Sequence, residues 1–177
     1  MAIQTVTCGI KGISALLMHA YPLLAIEGID KKPPQEQAEL GTYRDPDTKE
    51  LYVPGIAFQR GLVAAATFSK GKGRASLQKQ VAACVMVQPE RASLGTNQFT
   101  LDSRAVVIPA TKGRVIRHRA RLDTWACEFQ IEYDDVLLKE AELRRVVDDL
   151  GLRVGILDFR PERKGPFGRF IVTKWET

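Results

Sequence analysis

With 177 residues, 45% of them apolar and 27% charged, the chain has the composition of one ordinary globular domain with a sizeable core. No apolar run nears the ~20 residues that cross a bilayer, and no basic-then-apolar leader opens the chain, so a soluble, cytoplasmic protein with no membrane partner is expected. The formal charge of +5 excludes little by itself, and its distribution carries the information.

Ile3–Ile10 puts Val6, Cys8 and Ile10 on one face and Thr5 and Thr7 on the other, the alternation of a half-buried strand. Ile13–Ile26 is strongly apolar but broken by Pro22. Leu16, Leu17, Met18 and Leu23 in it read as exposed and available to another subunit, and His19 as a packed histidine. From Gly28 to Asp47 the character changes. Lys31, Lys32, Pro33 and Pro34 precede a short helical stretch at Gln35–Tyr43 and a turn at Asp45-Pro46-Asp47. Residues 28–48 read as a flexible arm or insertion. Glu50–Val53 is a short strand, and Pro54-Gly55 a turn.

Ile56–Ser69 has helical periodicity. Gly61 within it costs up to ~1 kcal/mol relative to alanine, which argues for a close contact there. Lys70–Arg74 is a basic, glycine-rich loop that fits neither the P-loop spacing nor G-x-G-x-x-G. The apolar run Gln80–Gln88 reads as a buried strand, and Ser103–Pro109 as another. In Arg114–Leu122, Arg117, Arg119 and Arg121 share one face with Val115. Successive arginines there lie about 6.6–7 Å apart, near the phosphate spacing of a single strand.

Thr124–Tyr133 alternates most cleanly. Its acidic face, with Glu128 and Glu132, is expected to pair with the arginine strand. Lys139–Leu150 is a helix by the spacing of Leu143, Val146, Val147 and Leu150, with Gly151 as its C′ residue. Arg153–Phe159 and Arg169–Trp175 then read as two strands around a cationic loop holding Gly165, Pro166 and Gly168. The three cysteines, Cys8, Cys84 and Cys127, are widely spaced among apolar residues, as in a reducing compartment. With no C-x-x-C pair and only His19 and His118 available, no zinc site and no cofactor are expected.

Insertions aside, the order is strand, helix, two strands, helix, strand. That is a single α+β domain, 1–177, with a ferredoxin-like β-α-β-β-α-β core. Val53-Pro54-Gly55 leading into the helix with Gly61, and Lys164-Gly165-Pro166-Phe167-Gly168 before the last strand, resemble the RAMP superfamily, the RNA-binding backbone subunits of CRISPR effector complexes. The resemblance covers both ends of the chain, not Lys31–Thr48. The late loop has only two glycines there, where the family's is glycine-rich. The resemblance implies an RRM-type core, an RNA partner and repeated subunits. SALLMH and DFRPERKGPFGRF are also similar to small uncharacterised phage and prophage proteins, a likeness that implies no activity.

Ser69–Lys79, Lys112–Arg121 and Arg160–Arg169 hold four, five and four of the 26 lysines and arginines, with Glu162 their single acid. Such clusters match a polyanion. The candidate nucleic-acid-binding residues are Lys70, Lys72, Arg74, Lys112, Arg114, Arg117, Arg119, Arg121, Arg160, Arg163, Lys164, Gly165, Phe167, Gly168 and Arg169. Phe167, Phe170 and Tyr21 are the aromatics available for stacking on bases. The expected function is binding of single-stranded RNA or DNA through its phosphates, as a homo-oligomer or a subunit of a larger complex. The alternatives are a phage structural or host-interaction protein that binds no nucleic acid, and a metal-dependent nuclease. No pair among Asp102, Asp123, Asp134, Asp135 and Asp158 forms a recognisable metal motif. Ser14 and Ser76 have no G-x-S-x-G context, and no catalytic residue is assigned.

Overall fold

The computed structural model describes residues 2–71, 73 and 75–177; Lys72 and Arg74 lie outside the described residues. In chain order the elements are β1 (Ile3–Gly12), β2 (Leu16–Met18), α1 (Pro34–Leu40), β3 (Tyr52–Pro54), α2 (Gly55–Ala65), α3 (Gln78–Cys84), β4 (Val85–Gln88), β5 (Arg91–Ser93), β6 (Thr100–Val107), β7 (Arg114–Leu122), β8 (Ala126–Asp134), α4 (Glu140–Asp149) and β9 (Phe170–Glu176). The fold is α+β. The main sheet has the order β4-β8-β1-β9, a second sheet β2-β7-β6, and β3 pairs with β5. The described pairings are antiparallel. No helix among the described residues is long and apolar enough to cross a membrane.

Alternation builds the core. Along β8, Cys127, Phe129, Ile131 and Tyr133 are buried, while Glu128 and Gln130 are exposed. Val6, Cys8 and Ile10 of β1 join them under α2 and α4. Phe58 of α2 stacks on Phe129 with ring centroids 4.1 Å apart, and Leu143, Val146 and Val147 of α4 are fully buried. Each of these side chains contributes about 1.5–3 kcal/mol by leaving water. Burial pushes the Cys8 and Cys127 thiols up to about 12, so both stay protonated at neutral pH.

The close contact expected at Gly61 is with Leu150. A Cβ on Gly61 would lie 2.6 Å from Leu150 Cδ1, and Leu150 is fully buried. Gly61→Ala gains up to ~1 kcal/mol in helix propensity but overpacks the core by roughly 1–3 kcal/mol. A net loss of about 1 kcal/mol is expected in urea unfolding; a stabilised variant would show that Leu150 has room to move.

Several expectations are corrected. Gln80–Gln88 is not one strand: Gln78–Cys84 is helical and only Val85–Gln88 is extended. Gln, Lys and Ala are good helix formers, and a short apolar run does not distinguish helix from strand. The arginine strand β7 pairs with β6 and β2, not with β8, which pairs with β1 and β4. The turn after Leu122 carries the chain between sheets, where the Trp125 indole donates to Ser14 O at 2.8 Å. Gly151 does not end α4. A π-helical turn continues over Leu150–Val154, and Gly155, with φ of 71°, follows it.

Leu16, Leu17 and Met18 are fully buried rather than exposed, because β2 is stitched to β7; Leu23 is wholly exposed. Within residues 28–48, α1 packs on β7 with Ala38 fully buried, and Arg44 donates to Glu39, Lys49 O and Asn97 O. Finally, Arg153–Phe159 forms no strand. Leu157 and Phe159 have φ of 60° and 48°, which extended backbone excludes.

Candidate nucleic-acid interface

The segment between Gly155 and Arg169 is a wound loop held by main-chain hydrogen bonds. Gly168 N donates to Ala15 O at 2.8 Å, Asp158 N to Leu17 O at 3.2 Å, and Ile156 N to Gly168 O at 3.0 Å. Arg169 N donates to Ser14 Oγ at 3.0 Å. β2 and the two residues before it therefore fix the loop beside β7.

Side chains complete that junction. Arg119 of β7 and Asp158 of the loop form an ion pair, Nε to Oδ2 at 2.7 Å. The N–H is not aimed along this contact, so the pair is held by charge more than by a directed hydrogen bond. The Arg104 guanidinium lies 4.8 Å from the centre of the Phe167 ring and that of Arg121 5.6 Å from it. Asp102 orients Arg104 through two hydrogen bonds of 2.8 and 2.7 Å. Those bonds hold the Asp102 carboxyl below its ordinary range, against the opposing effect of its burial.

A second series of contacts leads from the loop to the basic segment after α2. Arg169 Nε donates to Leu152 O at 3.2 Å. Arg153 lies over the Phe68 ring at 5.6 Å and pairs with Asp149. Asp149 accepts from Ser69 Oγ at 3.1 Å, next to Lys70. The 155–169 loop thus meets β7 directly at Arg119 and is linked to the Ser69–Lys79 segment through Leu152, Arg153 and Asp149.

The candidate residues separate by what holds them. Arg119 is only 8% exposed and is a strut, not part of an open row. Arg117 pairs with Asp30 at 3.4 Å, Arg121 with Asp123 at 2.7 Å, and Arg160 with Glu162 at 2.7 Å. Phe167 is buried, and Gly165 and Gly168 pack against Phe159 O and Ile156 O. Among the described residues, Lys70, Lys112, Arg114, Arg163 and Lys164 are exposed and free of an ion pair. Of the candidates, these are the cations available to a ligand.

A groove of about 740 Å³ opens between the loop, α2 and the segment after β2. Its wall carries Arg44, Arg60, Arg160 and Arg163, with Tyr21, Tyr43, Tyr52, His19 and the acids Asp158 and Glu162. His19 is exposed at the groove rather than packed in the core, and its partial desolvation there lowers its pKa, so the ring is neutral at pH 7. Arg60 was not among the sequence candidates. Its signal was there: it is the one charge in the eleven residues of α2, and a lone cation on an otherwise small and apolar helix marks the face turned to solvent. Tyr43 and Tyr52 reach the groove from distant segments and had no such signal.

The open face of the main sheet has a different character. Thr5, Thr7 and Gly9 of β1 lie there beside Glu128, Gln130 and Glu132 of β8, with Lys174 bound to Glu128 and Glu176. RRM sheets stack bases on aromatics at this position. Acidic groups without aromatics do not suit that mode, so the groove and loop side is the candidate surface. Neither a scan against protein-family models nor a search of curated proteins finds a match to this chain.

Proposed function

We propose that the chain binds single-stranded nucleic acid, RNA or DNA, along the phosphate backbone. In this reading it acts in the cytoplasm as a repeated or accessory subunit, built on a ferredoxin-like core of the RAMP type. The sheet order β4-β8-β1-β9 supports that core. With β2, β3, β5–β7, α1 and α3 set aside, the chain runs β1-α2-β4-β8-α4-β9, and the first strand lies between the third and the fourth. The observation that supports this function is that contacts of the 155–169 loop link three cationic segments that are far apart in the sequence. A polyanion is the ligand that neutralises such a series.

Binding of a labelled single strand measured over a range of salt tests this. The logarithm of affinity should fall linearly with the logarithm of salt concentration. Replacing Lys112, Arg163 and Lys164 together by alanine removes three exposed cations, so the slope should become shallower by about 2, at ~0.7 per phosphate contact. Affinity should weaken alike for all sequences, since phosphate contacts carry no base information. No binding at low salt would leave the protein-interaction alternative, and cleavage that needs a divalent metal would point to the nuclease.

A further inference from the structure

Of the three aromatics that the sequence offers for base stacking, Phe167 and Phe170 are 6% and 1% exposed. Neither presents a ring face to a ligand. Tyr21 is 89% exposed, and Leu23 beside it is 100% exposed. Large apolar side chains standing clear of a folded domain in one place mark an interaction site. Tyr21 and Leu23 line the groove together with Ile56 of α2, itself 56% exposed. Arg60 and Arg163 line the same groove, and neither belongs to an ion pair among the described residues.

The occupant must therefore present a flat apolar surface and negative charge together. An apolar peptide or a lipid tail leaves the two guanidinium groups unmatched. A second copy of the chain offers carboxylates on its open sheet face but no ring there for Tyr21. A nucleotide unit of a single strand supplies both parts. We infer that Tyr21, flanked by Leu23 and Ile56, is a stacking platform for one unpaired nucleobase at the mouth of the groove, while Arg60 and Arg163 hold the phosphates on either side. This platform presupposes the single-strand binding proposed for the chain and adds a base contact to it.

The test compares a short single strand of mixed sequence with the same strand made abasic, on the parent protein and on Tyr21→Ala and Tyr21→Phe. Tyr21→Ala should weaken binding of the intact strand about tenfold, the range of one base–aromatic stack, with the salt slope unchanged because no phosphate contact is lost. Tyr21→Phe should keep affinity within about twofold, since the ring face remains. The abasic strand should bind the parent and Tyr21→Ala equally. A strand carrying 2-aminopurine should lose fluorescence on the parent and regain it on Tyr21→Ala. Unchanged affinity in Tyr21→Ala, with Arg163→Ala weakened, would overturn the platform and leave phosphate binding standing. If the parent binds neither strand, both the platform and the proposed function fall.

Discussion

Gly168→Ala is expected to lower the stability of the fold by about 3 kcal/mol or more, the largest effect of any single methyl group on the loop. Two costs combine. Gly168 has φ of 75°, a left-handed conformation that costs an L residue ~1–2 kcal/mol. A Cβ there would also lie 2.0 Å from Ile156 O. The obstacle is backbone rather than a side-chain tip, so no rotamer relieves it, and forced overpacking adds roughly 1–3 kcal/mol. For a domain of this size the melting temperature should drop by about 6–12 °C. Under the proposed function, strand affinity should fall as well, because the loop positions Arg163 and Lys164. A melting temperature within a degree or two of the parent would show that the loop backbone is not held as described.

Asp158→Ala should cost about 2–3 kcal/mol. Removing one partner of a buried pair strands the other charge, at about 3–5 kcal/mol for a fully buried pair. Here Arg119 is about nine-tenths buried, while the Asp158 side chain is 29% exposed, so water screens part of the effect. The informative comparison is with Arg119→Met and with the double variant. Charge removed from both sides leaves no orphan, so the double variant should be more stable than Asp158→Ala alone. Urea midpoints that simply add would show that the two side chains do not act as a pair. Asp158→Ala should also loosen the junction between the loop and β7, and the ring of Phe167, held by Arg104 and Arg121, gives a local probe of that in NMR spectra.

The elements legible in the sequence are those whose signal is local. β1, β7 and β8 show period-two alternation, and α2 and α4 have helical spacing over three turns. Gly61 announced a close contact inside a helix, though not that Leu150 would make it. The loop was misread because its determinants are remote. Leu157 and Phe159 alternate with charged neighbours as a strand would, yet Asp158 N between them donates to Leu17 O and Phe159 O accepts from Phe167 N, so no ladder forms. Alternation likewise put Arg117, Arg119 and Arg121 on one face correctly, but it carries no information on what covers that face. Asp158 covers Arg119, and Asp30 and Asp123 meet the other two. The groove combines side chains from four separated stretches; Tyr21, Arg160 and Arg163 were legible one by one, but nothing local shows that they meet.

The bond between Ser14 and Arg169 spans 155 positions of the chain, and this separation sets an order of events during synthesis. Contacts so remote form late, because a long loop must close before they return any free energy. The hairpin of β6 and β7 can pair locally while the rest is still being made. The groove cannot exist until the loop has emerged and docked onto a segment made much earlier. An unfinished chain thus carries its arginines without the shape that organises them. Under the proposed function, strand binding would be acquired only once residues 155–169 have docked.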